Sequence, residues 1–366
     1  MERRYLLISA SMGAGHDAVA DELARRLRDR GHTVLRQDLL ALLPAGAGPA
    51  LRSFYRTAVR RLPGLYAGIY RTFLAGGPGP RPDVSPLAAV AERPVREVVD
   101  RWRPDGVVST FHLAAQVTGR LRARGALGVR STVVVTDFAL HRGWLHPGND
   151  LQLCLTEAGA RAARSGTGRP AVACGPVVPP GFHAPAPSPL WRDSPVGADG
   201  RPAVLLSAGA WGVGPGLLET AGALAGHGCL PVLLCGHDRR LRHRAARLPG
   251  VLALGWVADL PGLMAAARLL VDNAAGQTAV QALAAGLPVI GYRPLAGHGA
   301  HGVREMAAAG LSVLASGPRD LLSAVDALVA PGRDRYRQIA RGRSAFRSDA
   351  ADHVAEPPTG AAPREP

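Results

Sequence analysis

Lysine is missing altogether, so the whole basic complement of this chain is arginine. Cysteine is scarce. Cys154, Cys174, Cys229 and Cys235 contain no Cys-x-x-Cys pair and have no zinc-finger spacing with the histidines, which excludes a zinc ribbon. Reduced cysteines lying in strands of a cytosolic protein are the expected state. No apolar run approaches the ~20 residues needed to cross a bilayer. The start, "MERRYLLISA", is charged and lacks the apolar core of a secretory signal. A cytoplasmic protein, soluble or peripheral on a membrane, is the expectation. No Asp-x-Asp motif of the kind that holds a metal occurs. Aromatic residues make up only 5%, which gives weight to any place where they cluster.

Among what is present, 47% hydrophobic residues exclude global disorder. A length of 366 residues suits two domains. The net charge of +15 calls for an anionic partner: nucleotide phosphates, an anionic lipid surface or nucleic acid. The arginines are spread over both halves without any RNA or DNA recognition motif, which argues against nucleic acid.

Short apolar strands alternate with helical stretches. "RYLLISA", "HTVLR", "DGVVST", "STVVVTD", "LQLCLT" and "PAVACG" read as strands of a first unit. Residues 16–30 read as a helix, with Val19, Leu23 and Leu27 on one face, and a second helix runs from His112 to Arg124. Between Gly181 and Pro202 periodicity is lost in a stretch rich in Pro and Gly. The alternation then restarts with "AVLLSAG", "LPVLLCG", "VLALGW", "RLLVDNA" and "LPVIGYR". The pattern predicts an α/β protein with two Rossmann-like, doubly wound parallel-sheet domains. Their expected bounds are 1–181 and 202–346, with a linker over 182–201 and a disordered tail over 347–366.

The aromatics crowd into one segment, "LRSFYRTAVRRLPGLYAGIYRTFLAGG". Phe54, Tyr55, Tyr66, Tyr70 and Phe73 interleave there with Arg56, Arg60 and Arg61 on a basic helical pattern that Pro63 splits. Such a pattern suits an anionic membrane surface. A helical pair packed on its own domain would leave the same arginines merely solvated. The crowding of aromatics favours the membrane.

"SASMGAGHDA", directly after the first strand, puts Gly13, Gly15 and His16 at the start of a helix. Strand, glycine turn and helix bring backbone N–H groups to a polar ligand. The full G-x-G-x-x-G spacing is absent, so an ordinary tight turn is also open. Asp137 ends the strand "STVVVTD", His112 follows "DGVVST", and His141 and Trp144 lie in the next loop, where they could serve catalysis or simply anchor the loop. In the second half, Gly209 and Trp211 follow one strand, and Gly255, Trp256 and Val257 follow another. Asn273 precedes Gly276, Gln277 and Thr278 at a helix N-terminus suited to a diphosphate, with Gln281 one turn on in reach of a ribose.

Taken together, "SMGAGH", "STFHLAAQVTGRL", "VVTDFALHRGWLHPGNDLQL", "CGPVVPPGF" and "GWVADLPGLMAAARLLVDNAAGQTAVQALAAGLPVIGYRPLAGH" resemble the monogalactosyldiacylglycerol synthase and processive diacylglycerol glucosyltransferase family. The undecaprenyl-linked N-acetylglucosaminyl transferase of peptidoglycan synthesis is a more distant relative. The resemblance spans roughly residues 5–330. It implies a GT-B glycosyltransferase: a UDP-sugar held by the second domain, a lipid acceptor received by the first, inversion and no catalytic metal. It makes His16 the first choice for the base, Asp137 the second, and His298 part of the sugar-recognition loop. The sequence departs from the family at Ala14 inside the glycine loop, at Gln281 where Glu is usual, and at His298 and Gly299 where Gln-Glu is usual. An inactive scaffold at the membrane and a UDP-sugar epimerase are the rival readings.

Overall fold

The computed structural model describes residues 1–75, 86–198 and 200–356; the side chains of Pro63, Phe73 and Pro86 lie outside the described part. Two six-stranded, wholly parallel sheets form the frame. The first sheet contains β1 (Arg4–Ser9), β2 (Thr33–Asp38), β3 (Gly106–Ser109), β4 (Arg130–Val134), β5 (Leu151–Cys154) and β6 (Ala171–Ala173), in the order β2-β1-β3-β4-β5-β6. The second contains β7 (Ala203–Ser207), β8 (Leu230–Leu234), β9 (Leu252–Leu254), β10 (Leu269–Asp272), β11 (Val289–Tyr292) and β12 (Val313–Ala315), in the order β12-β11-β10-β7-β8-β9. This is the GT-B architecture.

The apolar runs become central strands because both faces are covered by helices. Along β1, Leu6 and Ile8 enter the core on one face while Tyr5 and Leu7 enter the core on the other. In β7, Leu205 and its flanking residues Val204 and Leu206 divide in the same way. A strand buried on both faces has no polar alternation, which is why these segments read as unbroken hydrophobic runs. Strand β12 was not foreseen. It is a three-residue edge strand whose Val313 and Leu314 remain exposed, too short to show a period.

Seven helices matter for the site and its surroundings: α1 (Ala14–Asp29), α2 (Ala47–Arg61), α3 (Pro63–Ile69), α4 (His112–Ala123), α5 (Gln277–Ala285), α6 (His298–Ala308) and α7 (Ala350–Ala355). The aromatic segment is helical and breaks at Leu62–Pro63 as its pattern predicts, with Pro63 at the first position of α3. A π-helical turn, Tyr70–Leu74, continues it.

Two boundary expectations need correction. The 182–201 segment is not a free linker: Phe182, Trp191 and Val196 are buried in the core of the second sheet. Trp191 Nε1 donates to the Asp259 carbonyl at 3.0 Å, and Ser188 Oγ donates to the Asp259 carboxylate at 2.6 Å. Three apolar side chains spaced among prolines were enough to dock it, without any helical period. The tail is not disordered from 347 either. Helix α7 is capped by Asp349 and returns to the first domain, where Ala350, Ala351 and Val354 join the core beside α1. Asp349 pairs with Arg26 at 3.0 Å and with Arg30 at 2.7 Å. Residues 357–366 of that expected tail lie outside the described residues.

Where the chain crosses between domains, its two crossings touch. Arg347 and Ser348 both donate backbone N–H groups to the Cys174 carbonyl, at 3.0 and 3.1 Å. A Cβ on Gly175, whose φ is +93°, would sit 2.0 Å from the Ala345 carbonyl oxygen. Only glycine lets the crossings pass this closely.

Candidate active site

Both sheets reverse their winding direction inside themselves, the first between β1 and β3 and the second between β7 and β10. Ligands of open parallel sheets bind at such switch points, beyond the carboxyl ends of the strands. The loops leaving β1, β4, β7 and β10 converge here on one cleft of about 700 Å³, with walls from both domains. The domains come close at its floor: a Cβ on Gly15 would lie 3.5 Å from Gln277 Cβ, and Gln277 Nε2 donates to the Val177 carbonyl at 3.2 Å.

On the first wall, Gly13, Gly15 and His16 line the cleft with Asp137. His16 sits in the first turn of α1 with its ring edge-on to Phe111. Its Nδ1 is 3.1 Å from the Thr110 carbonyl oxygen, and Thr136 Oγ1 is 3.0 Å from the same nitrogen. A carbonyl only accepts, so Nδ1 carries the proton and Nε2 keeps the lone pair. Burial lowers the pKa of His16 despite the opposing pull of Asp137, so the ring is neutral at pH 7. A neutral imidazole with one nitrogen tied back is a proton acceptor poised to act.

Asp137 is arranged differently. Its Oδ2 accepts from Trp144 Nε1 at 2.9 Å and faces His141 Nε2 at 3.4 Å. His141 is oriented by the Gly143 N–H, which donates to its Nδ1 at 3.1 Å. Burial resists ionisation of Asp137, but His141, and then His16 and His298, outweigh it and hold the carboxyl well below the usual range. Such a carboxylate is a poor base. It is well suited to stabilise a positive charge arising on His16.

His141 and Trp144 therefore stand behind the cleft lining and orient Asp137, which is the loop-anchoring alternative with a functional target. His112 is displaced from its expected place. It opens α4 behind the wall, 5.1 Å from the His141 ring and 6.1 Å from Trp144 by ring centres, and it is not among the cleft-lining residues. Burial, then His141 and His16, lowers its pKa strongly. The turn after β3 directs Phe111 and His112 into packing rather than toward the cleft.

On the second wall, the remaining predicted residues come together: Gly209, Trp211, Gly255, Trp256, Val257, Asn273, Gly276, Gln277, Thr278, Gln281 and His298 all line the cleft. The loop after β10 is shaped by Asp272, whose Oδ2 accepts the Ala274 and Ala275 amides at 2.9 and 2.6 Å. Burial raises the pKa of Asp272, an effect these amides oppose. Asn273 braces the neighbouring loop by donating to the Val213 carbonyl at 3.2 Å. The loop thereby delivers the N-terminus of α5, whose first amides have no acceptor within the helix. Trp256, half-exposed at the cleft mouth, stacks on His237 at 4.7 Å and 8°. Among the described residues, no three His, Cys, Asp or Glu side chains gather in a geometry that could hold a metal.

The aromatic segment divides in a way its sequence did not disclose. Tyr55, Tyr66 and Tyr70, expected at a membrane, turn inward. Tyr55 lines the cleft with its ring edge-on to Trp211 at 5.8 Å. Tyr66 OH is 2.6 Å from His298 Nδ1, and Tyr70 OH is 3.3 Å from His301 Nδ1. Arg60 forms an ion pair with Asp238 of the second domain. Phe54, Leu62 and Leu65 are instead the exposed apolar side chains, at 52%, 50% and 49%, alongside exposed Arg56 and Arg61. The side chain of Phe73 lies outside the described residues. Residue type held the missed signal: a buried tyrosine needs a partner for its hydroxyl, whereas phenylalanine and leucine on a basic helix need none.

Residues 16–178 match the model of the monogalactosyldiacylglycerol (MGDG) synthase family. This chain is a glycosyltransferase, similar in sequence to MGDG synthases and diacylglycerol glucosyltransferases. It is 21% identical over 364 residues to a processive diacylglycerol beta-glucosyltransferase of Bacillus cereus, covering 96% of this chain and 92% of that one. It is 29% identical over 266 residues to a probable chloroplastic MGDG synthase of Nicotiana tabacum, covering 67% of this chain and 49% of that one. The fold is similar to the crystal structure of Acinetobacter baumannii MurG, with a TM-score of 0.58 at 15% identity over 97% of this chain and 98% of that one.

Proposed function

We propose that this chain moves a hexose from a UDP-sugar to the hydroxyl of a diacylglycerol-type lipid at the inner face of the cell membrane, inverting the anomeric carbon. The observation that carries this reading is the placement of His16 and the first amides of α5 on facing walls of one cleft. The acceptor hydroxyl attacks the anomeric carbon, and its proton passes to His16 Nε2. The bond from that carbon to the diphosphate breaks, and its electron pair leaves with UDP. With base and leaving group held by different domains, attack comes from the face opposite the departing diphosphate, and the configuration inverts. Asp137 stabilises the imidazolium that forms.

The departing diphosphate is received by the amides of Gln277 and Thr278 and the positive end of the α5 dipole. This reading asks for no metal and no cofactor. The Gly255-Trp256-Val257 loop offers backbone groups to the uracil, and Gln281 offers its amide to the ribose. Phe54, Leu62 and Leu65, flanked by Arg56 and Arg61, supply an apolar and cationic face for an anionic bilayer. No helix among the described residues is long and apolar enough to cross a membrane, and a peripheral attachment needs none.

The test supplies purified protein with radiolabelled UDP-glucose, UDP-galactose and UDP-N-acetylglucosamine in turn, over diacylglycerol vesicles, with thin-layer chromatography as the readout. Labelled lipid from one donor is the expected result. Binding of UDP without labelled lipid from any donor would reduce the protein to a scaffold.

A further inference from the structure

The hydroxyl of Tyr66, in α3 of the first domain, lies 2.6 Å from Nδ1 of His298, the first residue of α6 in the second. The rings meet edge to face, with centres 5.7 Å apart at 89°. The backbone makes room for this contact. Gly297 has φ +76°, and a Cβ there would lie 2.8 Å from Tyr66 Cε1. One turn along α6, Tyr70 reaches His301 in the same manner. Tyr66 is also held from the first-domain side by the edge of Tyr55, at 5.4 Å between ring centres. This is a bond built from both sides.

Neither partner is charged. Burial, reinforced by Tyr55, pushes the Tyr66 hydroxyl far above its ordinary pKa, so it stays protonated. Burial also lowers the pKa of His298, against the pull of Asp137, so the imidazole is neutral. A neutral phenol and a neutral imidazole can share this bond in either sense, and in both senses the Tyr66 hydroxyl occupies Nδ1 and leaves Nε2 as the nitrogen it does not engage. His298 lines the cleft, and its charge interactions with Asp137 and His16 put it near the proposed reaction centre.

We propose that Tyr66 is a positioning residue for donor-sugar recognition: its hydroxyl occupies Nδ1 of His298 and so fixes the ring with Nε2 left for a hydroxyl of the sugar. The inference rests on the donor reading given above. It makes sugar recognition a property of both domains, because the acceptor-side domain orients a donor-side histidine. UDP has no sugar, so it gains nothing from the arrangement.

The test compares binding of UDP with binding of UDP-glucose, UDP-galactose and UDP-N-acetylglucosamine by calorimetry, without lipid. In Tyr66→Phe, affinity for UDP is expected to stay within about twofold. Affinity for the sugar nucleotide that wild-type protein binds best falls roughly three- to tenfold, the worth of one neutral hydrogen bond. In a His298→Gln background, which has no imidazole for Tyr66 to orient, Tyr66→Phe is expected to change neither affinity further. Equal losses for UDP and sugar nucleotide, or an unchanged ratio between them, would overturn the positioning role. So would an undiminished effect of Tyr66→Phe in the His298→Gln background. If wild-type protein binds no UDP at all, the donor reading itself falls, and the inference falls with it.

Discussion

The Nδ1 atom of His16 lies 3.1 Å from the carbonyl oxygen of Thr110, and this contact determines which imidazole nitrogen holds a lone pair. Replacing His16 by Ala should lower kcat roughly 10²- to 10⁴-fold, the usual contribution of a positioned general base. Burial lowers the folded pKa of His16 below 6.5, so the wild-type rate should fall only as pH drops through that lower value. A pH–rate profile with its acid limb below 6.5 is the expected record, and the limb should vanish in His16→Ala.

Asp137 raises the pKa of His16 through its negative charge. Asp137→Asn removes that support while keeping the shape, so the acid limb should move to still lower pH. An opposite charge at close range is worth roughly one to three pKa units. The maximal rate should fall as well, since the imidazolium formed during transfer loses its counter-charge. Steady-state rates between pH 4 and 8 read both effects, and an unmoved limb would separate Asp137 from the base.

The α5 terminus can be tested by removing one amide. Gln277 is the first residue of the helix, a position that accepts proline without breaking the helix. Gln277→Pro should weaken UDP binding roughly tenfold or more, as loss of a hydrogen bond to a charged group implies. Gln277→Ala keeps the amide and loses only the contact with Val177, so its UDP affinity should stay close to wild type. Calorimetry on the two variants decides between amide and side chain.

On the outer face of α2 and α3, Phe54→Ser, Leu62→Ser and Leu65→Ser together should abolish cosedimentation with anionic vesicles. Arg56→Glu with Arg61→Glu should weaken it by about 1 kcal/mol or more per charge. These side chains are exposed, so UDP binding and the melting temperature should hardly change. Undiminished cosedimentation of both variants would move the membrane face elsewhere.

A pH dependence of stability follows from His146. Burial, helped by Arg120, lowers its pKa from 6.5 to about 4. The unfolded chain therefore takes up a proton before the folded one does. Stability from this group should be intact above 6.5, decline as pH falls through the interval and level out near 4. A shift of this size amounts to about 3 kcal/mol. His146→Asn, which retains an acceptor for the Gly148 amide, should show a flatter loss of urea stability between pH 6.5 and 4.

Much of the fold was legible because parallel strands buried on both faces must be continuously apolar, as in "RYLLIS" and "AVLLS". The glycine loops were legible because strand, glycine and helix start follow in immediate succession. The donor wall was legible for the same reason: Gly276, Gln277 and Thr278 are contiguous. What stayed hidden depends on contacts between domains. Nothing near Tyr66 in the sequence points to His298, which is 232 residues away. His112 shows the converse error. It follows a strand end like the true cleft residues, yet the turn gives that place to packing against His141 and Trp144. Trp191 and α7 were lost because a few apolar residues among Pro, Gly or Asp carry no period, and their docking partners lie far along the chain.

The side-by-side crossings at Gly175 and Ala345–Ser348 bear on how firmly the two domains are joined. Two domains on a single tether can swing in any direction. Here two strands of chain run together at one point and are hydrogen-bonded to each other, so the joint between the domains is two-ply. A larger residue at Gly175 would pry the plies apart, and the cost would be paid in registration between domains before either domain lost its own fold.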